Sequence, residues 1–315
     1  MTSPPNPLAL PPGDREGNKR QPGELDPSYV VQRPQSGYGS RKASLTLDVI
    51  VVGCGIGGLA AALCLAKAGH RVTIIESSLV IGEIGAGMQL SPNTTRLLYK
   101  WGLGKPLDEI AVRPEGVAYR RYNTGEQIGF TKWGKDLERD YGAPYYHVHR
   151  ADLYRLLHDL VSPYVTIMLG SAVVGCDPDV SSPSVTLASG KTIKADLIVG
   201  ADGIKSYLQE VVLGEPNAVE LTGDAVYRTT IPTSLMMQDP ELREFVEHPK
   251  MTAWIGPFRC LVGYPIVRSP LFFPRSGSDM LTARLPLHRE GRRDIISSLY
   301  TQMMGQWKPG KQKET

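Results

Sequence analysis

Cysteine is scarce. The 315 residues hold four, Cys54, Cys64, Cys176 and Cys260, with no C-x-x-C spacing and no histidine-paired pattern. That excludes a disulfide scaffold and a structural zinc site, and leaves reduced thiols as the reading. No uninterrupted apolar run approaches the ~20 residues a membrane helix needs, so no membrane segment is expected. The opening stretch, MTSPPNPLALPPGDREGNKR, has no basic start followed by an apolar core, which argues against a secretory signal. Asp14, Glu16, Glu24 and Asp26 argue against a transit peptide. A cytoplasmic location is the expectation. An excess of one charge is also missing: 35 Lys and Arg against 32 Asp and Glu leave +3. So small a charge points to no nucleic acid and no anionic lipid surface. There is no G-x-S-x-G for a hydrolase, the six histidines form no triad or metal set, and no internal repeat is found.

What is there has the composition of a soluble enzyme, 41% hydrophobic and 21% charged. Residues 1–45 carry eight of the 25 prolines and little periodic apolar content. Such a stretch buries too little surface to offset its ordering entropy, so a Pro-rich disordered tail is expected there. Residues 46–217 alternate apolar runs with helical periodicity, as repeated β and α units would. LTLDVIVVG reads as a buried strand, Ile56–Ala68 as a small-residue helix ending at Gly69, and Arg71–Ile75 as a second strand. His149–Val161 places Leu153, Leu156, Leu157, Leu160 and Val161 on one helical face. SVTLASGKTIKADLIVG reads as a hairpin turning at Ser189-Gly190, followed by a buried strand over Leu197–Val199. Residues 218–267 hold short β-like pieces, AVYRTTI, MTAWIG and RCLVGYPIV, expected to form a sheet in a second lobe. Residues 268–315 lose that rhythm and read as a divergent tail. Ile295, Ile296, Leu299, Tyr300 and Met303 suit one amphipathic helix there.

Gly53-Cys54-Gly55-Ile56-Gly57-Gly58 fits G-x-G-x-x-G, directly after one strand and opening a helix. Gly53 permits the tight turn, Gly55 lets a pyrophosphate approach the backbone, and Gly58 allows close helix–strand packing. The helix N-terminus then offers N–H groups and a positive dipole end to phosphates. Glu76 closes the second strand, where a carboxylate accepts hydrogen bonds from ribose hydroxyls and repels a 2′-phosphate. The unit therefore predicts dinucleotide binding with NADP disfavoured, and leaves FAD and NAD open.

Three further patches carry a resemblance. GEIGAGMQLSPN (residues 82–93), HVHRADLYRLL and ADLIVGADGIKS, in this order, resemble segments of class A flavoprotein hydroxylases of the salicylate hydroxylase type. The resemblance implies FAD, a Rossmann-type α/β domain with a parallel sheet and helices, and a partial β-sheet substrate lobe. It places Ala86, Gly87 and Gln89 along the flavin loop, Arg150 on the flavin side, and Asp202 with Gly203 in a turn serving FAD and NAD(P)H. Gln209 stands where family members often carry arginine, which weakens the reductant assignment. TGDAVYRTTIP and WIGPFRCLVGYPI resemble the fungal branch's substrate strands, which makes Arg228 the expected phenolate anchor and Tyr264 its hydrogen-bonding companion.

The implied activity is hydroxylation of a phenolic or other aromatic substrate with O2 and NAD(P)H. The family's second flavin motif, Gly-Asp-Ala followed by His and Pro, has no match here, because Gly223-Asp224-Ala225 belongs to the substrate strand. A shortened chain with weak FAD retention and impaired turnover is the corresponding expectation. Two rival readings stay open: an inactive remnant that binds a dinucleotide, and an NAD-dependent dehydrogenase on the same unit. A flavin halogenase fits less well, since Trp254-Ile255-Gly256-Pro257 lacks that group's second tryptophan.

Overall fold

In the computed structural model the apolar run after Asp48 becomes the centre of a four-stranded parallel sheet. The structure describes residues 42–81, 87–216, 225–257, 259–266 and 299–303. Ala86, Gly223 and Asp224 lie outside them, as do the proline-rich residues 1–41.

Along the chain, β1 (Asp48–Val52) leads through the glycine turn into α1 (Ile56–Ala68) and back into β2 (Arg71–Ile75). Next come β3 (Gly87–Leu90), α2 (Pro92–Lys100), α3 (Gly104–Ile110) and the hairpin β4 (Gly116–Arg121) and β5 (Gln127–Lys132). They are followed by α4 (Gly134–Tyr141), β6 (Tyr146–His149), α5 (Arg150–Val161) and β7 (Thr166–Met168). The meander β8 (Val173–Asp177), β9 (Ser184–Leu187) and β10 (Thr192–Lys194) precedes β11 (Leu197–Gly200) and α6 (Tyr207–Leu213). The last described elements are β12 (Ala225–Thr229), α7 (Thr233–Met236), α8 (Pro240–Glu247), β13 (Met251–Gly256), β14 (Arg259–Gly263) and β15 (Leu299–Met303).

The parallel sheet has the order β11-β1-β2-β7, with every pairing parallel. Both faces of β1 are covered, which is why its sequence is a continuous apolar run and not an alternating one. Val49 and Val51 face α1 and α5, packing with Leu59, Leu63, Leu153 and Leu157. Ile50 and Val52 face the other way, onto Val185, Leu187 and Leu208 of the meander and α6. The result is a three-layer unit: helices, parallel sheet, antiparallel meander. Each such side chain contributes roughly 1.5–3 kcal/mol of hydrophobic stabilisation.

The helix over residues 56–68, its stop at Gly69 (φ 107°) and the strand 71–75 stand as read from the sequence. So does the hairpin turn, with Gly190 at φ 84°. One reading changes. The strand Leu197–Gly200 was expected to be buried, yet it forms an edge of the sheet among the described residues, and Leu197 is 40% exposed. Apolar content reported the face it turns to the meander and could not report the open edge.

A second sheet, six-stranded, has the order β12-β15-β14-β13-β4-β5. The strands expected from residues 218–267 are present as β12, β13 and β14. They are joined by a hairpin from residues 116–132, with β13 lying parallel to β4. The helix expected around Leu299, Tyr300 and Met303 is replaced by a strand, β15, paired antiparallel with β12 and β14. Ile295 and Ile296, the other residues of that expected helix, lie outside the described residues, and the backbone groups of 299–303 pair with two strand edges instead. A two-stranded antiparallel ribbon pairs β3, inside the 82–93 patch, with β6, which runs directly into α5.

Candidate dinucleotide site

Three strand ends meet at one rim of the parallel sheet. β1 ends in Gly53, β2 in Glu76, and β11 in Ala201-Asp202-Gly203. Gly53 has φ 103°, and a Cβ on it would stand 2.3 Å from the Ala201 carbonyl oxygen. A Cβ on Gly58 would stand 2.0 Å from the Gly53 carbonyl oxygen. Both glycines are therefore demanded by backbone proximity. Gly55 is different: a Cβ there would meet nothing within 4 Å. Its absent side chain leaves open space above the first turn of α1. That turn has no side-chain cap and no acidic residue, so its N–H groups and dipole end are not neutralised locally. The tight turn at Gly53 and the close packing at Gly58 are features of the backbone, and Gly55 borders open space.

Glu76 ties the rim together. One carboxylate oxygen accepts from the Cys54 N–H at 2.8 Å, and the other accepts from the Ser78 N–H at 2.8 Å and from the Ser77 hydroxyl at 3.1 Å. Partial burial would raise its pKa, but these hydrogen bonds together outweigh burial and hold the group below the usual carboxylate range. It is thus a fixed anion at the end of β2. A carboxylate has about four acceptor positions, so capacity remains for ribose hydroxyls.

Asp202 is engaged as well. It accepts from the Ser206 hydroxyl at 2.5 Å and from the Leu208 N–H at 3.1 Å, and Ser206 in turn caps α6 by accepting from the Gln209 N–H. Its first task is to pin the turn after β11 onto α6. A cleft of about 370 Å³ opens between these ends, with Gly53, Gly55, Glu76, Val173, Asp202 and Lys205 among its walls. Lys205 and the Ser171-Ala172-Val173 segment were not singled out from sequence. The first hid in the GIKS turn, and the second reaches the cleft only through the pairing of β7 beside β2. The Ser171 N–H donates to the Glu76 carbonyl at 2.8 Å, which fixes that segment at the rim.

The remaining expected residues are distributed as follows. Gly87 and Arg150 are brought together by the ribbon, where Gly87 pairs with His149 and Arg150 opens α5. Gln89 accepts from the Tyr145 hydroxyl at 2.6 Å and donates to the Met251 sulfur at 3.1 Å. Tyr264 follows β14 and is buried, its ring 4.6 Å from that of His147. Arg228 sits in β12, opposite Tyr300 of β15 in the register, and its side chain is outside the described residues.

A larger hollow, about 680 Å³, runs beside β11 and α6. Its walls are mostly apolar, including Val180, Leu197, Val212 and Leu213. Its charged walls, Asp179, Asp196 and Asp202, are all acidic. A phosphate-bearing ligand finds no counter-charge there, which makes the smaller glycine-walled cleft the better candidate for a dinucleotide. No group of His, Cys, Asp or Glu among the described residues is arranged to hold a metal. No helix among them is long and apolar enough to cross a membrane.

Comparison with known proteins decides between the dinucleotides. The family profile described as an FAD binding domain matches residues 46–259. The chain belongs to that family. Its cofactor is FAD, as the ring-side patches implied, and the family and its relatives are FAD-dependent monooxygenases. The chain is 34% identical over 223 residues to 3-amino-4-hydroxybenzoate 2-monooxygenase PtnB3 of Streptomyces platensis, covering 71% of this chain and 54% of the relative. It is 37% identical over 228 residues to the FAD-dependent monooxygenase atnJ of an Arthrinium species, covering 70% and 51%. The chain therefore spans about half the length of the curated relatives it matches. Among solved structures, CtdE with FAD and a substrate superposes with a TM-score of 0.65 at 18% identity, over 84% of this chain and 58% of that one. That likeness establishes the fold alone.

Proposed function

We propose that this chain is the FAD-holding part of a monooxygenase that hydroxylates a phenolic or other aromatic substrate, using NAD(P)H and O2. The observation that carries the reading is the convergence of the Gly53–Gly58 turn, Glu76 and Asp202-Gly203 on one cleft. The reaction balances as ArH + O2 + NAD(P)H + H⁺ → ArOH + NAD(P)⁺ + H2O. Bound FAD supplies the redox chemistry, accepting a hydride and activating oxygen.

The chain's own residues bind and orient. The first-turn N–H groups of α1 receive the pyrophosphate, and Glu76 receives the ribose of the adenosine half. Lys205 at the cleft wall adds a cation toward the phosphates. Asp202 holds the turn after β11 against α6, so that Gly203 stays close to the cofactor. Arg150 follows His149, the ribbon partner of Gly87 in the 82–93 loop, which supports a role for its planar guanidinium at the isoalloxazine edge. On the substrate side, Arg228 anchors the phenolate and Tyr264 hydrogen-bonds to it, while the surrounding apolar and aromatic residues exclude water.

The test is an absorption spectrum of the purified chain with and without added FAD, for wild type and Glu76→Ala. Wild type is expected to take up FAD and the variant to bind it far more weakly. NAD(P)H oxidation that rises with added phenols completes the assignment. A chain that takes up no flavin is a non-catalytic remnant, and one that takes up NAD in its place is a dehydrogenase.

A further inference from the structure

Cys54 stands between the first two glycines of the turn, and its two ends are held by different elements. Its N–H donates to Glu76 at the rim, while its side chain lies in the core, and the walls of the cleft pass from Gly53 to Gly55 without it. In the core the sulfur accepts from the Tyr154 hydroxyl at 3.5 Å, a contact across 100 residues of chain. Both residues are buried, Tyr154 at 6% exposure and Cys54 at 2%. Tyr154 lies on α5, one helical turn after Arg150, which opens that helix. Its ring runs nearly parallel to that of His158 on the next turn, with centroids 6.4 Å apart at 18°.

A hydroxyl is costly to bury, and packing alone asks nothing of position 154 that phenylalanine would not supply. The surrounding core, with Leu59, Leu63, Leu153 and Leu157, is apolar. Sulfur is a weak acceptor, so the contact adds little to stability. Burial pushes the Cys54 thiol above its ordinary pKa, against the opposing pull of the tyrosine, and so keeps it a neutral thiol. What the contact governs is the peptide attached to that side chain. Gly53 is fixed against Ala201 before it, and Gly55 borders open space after it. Glu76 holds one end of Cys54 and Tyr154 holds the other. The Gly55 N–H follows directly, at the N-cap of α1.

We propose that Tyr154 is a positioning residue of the FAD site. Through Cys54 it sets the peptide groups of the glycine turn toward the pyrophosphate, and it keeps α5, with Arg150 at its start, in register with that turn. The inference rests on the reading of the glycine cleft as the FAD site and adds a residue to it. Tyr154 is not among the walls of the cleft, so it acts through its neighbour. Two contacts in series, Tyr154 to Cys54 and Cys54 to Glu76, join α5 to both groups assigned to the adenosine half. A tyrosine that only fills the core shows itself in the melting of the chain. One that positions the turn shows itself in cofactor affinity.

The experiment uses the full chain with FAD and compares wild type with Tyr154→Phe, Cys54→Ala, Cys54→Ser and the double variant Tyr154→Phe/Cys54→Ala. FAD affinity is read by quenching of the flavin fluorescence, and the thermal midpoint of each FAD-free chain is measured beside it. Tyr154→Phe keeps the ring and deprives only a weak acceptor, so its midpoint should stay near that of wild type. Its FAD affinity should fall roughly threefold to fivefold. Cys54→Ala should lose a similar factor, and the double variant should bind no more weakly than either single one, since all three remove the same contact. Cys54→Ser keeps an acceptor and should lie closer to wild type than Cys54→Ala. Unchanged affinity in Tyr154→Phe overturns the inference. So do losses that multiply in the double variant, and so does a lowered midpoint without lowered affinity. Should one single variant fail to fold, the other decides by affinity against midpoint. Where wild type takes up FAD, a failure on these criteria sinks the role of Tyr154 alone. If wild type takes up no FAD, the reading of the cleft falls and takes the inference with it.

Discussion

Lowering the pH from 7 to 5 should destabilise the wild-type chain by about 2 kcal/mol more than a His147→Leu variant. Burial is the largest influence on this imidazole and pushes its pKa from the ordinary 6.5 down to about 3, with the Pro265 carbonyl opposing weakly. In the unfolded chain the same group protonates near 6.5. Between those values the unfolded state binds a proton that the folded state refuses, so stability is lost as the pH falls. At pH 7 the effect is negligible. At pH 5 the unfolded group is almost fully charged, and one and a half pH units at about 1.4 kcal/mol each gives about 2 kcal/mol. The result barely depends on the folded value, provided it lies below about 4. Urea unfolding of both proteins at pH 7 and pH 5 measures it, because the remaining histidines are common to both and cancel in the difference. Parallel losses in wild type and His147→Leu would refute the reasoning and mean that the imidazole is charged or reaches water in the folded chain.

The glycine turn gives a clean contrast. Gly53→Ala and Gly58→Ala drive a Cβ to within 2.3 Å and 2.0 Å of backbone carbonyl oxygens and should each lower stability by about 2–4 kcal/mol in thermal or urea unfolding. Gly55→Ala meets open space, so it should leave the unfolding midpoint nearly unchanged and weaken FAD binding, read by fluorescence quenching of the flavin. Asp202→Ala removes two hydrogen bonds at the start of α6 and should cost about 1–2 kcal/mol, with amide exchange accelerated first in residues 207–213. Val212 is 85% exposed beside the apolar hollow, so Val212→Lys should leave the midpoint within about 0.5 kcal/mol of wild type and reduce concentration-dependent light scattering.

The parts of this protein that were legible in the sequence are those governed by local rules. Gly53, Gly55 and Gly58 announce a turn through their spacing within six residues between a strand and a helix, although the close approach of Gly53 to Ala201 is a long-range contact that spacing does not show. Glu76 is readable because a strand of five residues fixes its distance from that turn. The helix over residues 150–161 shows its buried face through the spacing of Leu153, Leu157 and Val161. What stayed hidden depends on pairing across long separations. Nothing near Gly116 says that its strand lies parallel to one starting at Met251, so the second sheet's membership could not be read. The edge position of β11 was invisible for the same reason, since an apolar tetrapeptide looks alike at a sheet's centre and at its rim. The packing of His147 against Tyr264 was hidden as well, because periodicity marks a buried strand without naming what its rings meet.

The dinucleotide cleft is also self-contained, which bears on how far a chain of half its relatives' length can be tested. Every close approach that shapes the turn, from Gly53 to Ala201, from Gly58 to Gly53 and from Cys54 to Glu76, joins residues between 53 and 201. The caps on the turn after β11 end at residue 209. The apolar layers that hold β1 in place come from residues 47–211. None of these contacts calls on the six-stranded sheet. FAD uptake and turnover therefore test different parts of the chain: the first tests a turn and cleft whose packing contacts end by residue 211, and the second tests the proposed substrate residues Arg228 and Tyr264. A chain that binds FAD and oxidises NAD(P)H slowly, without response to phenols, would locate the fault in the second sheet and leave the cleft intact.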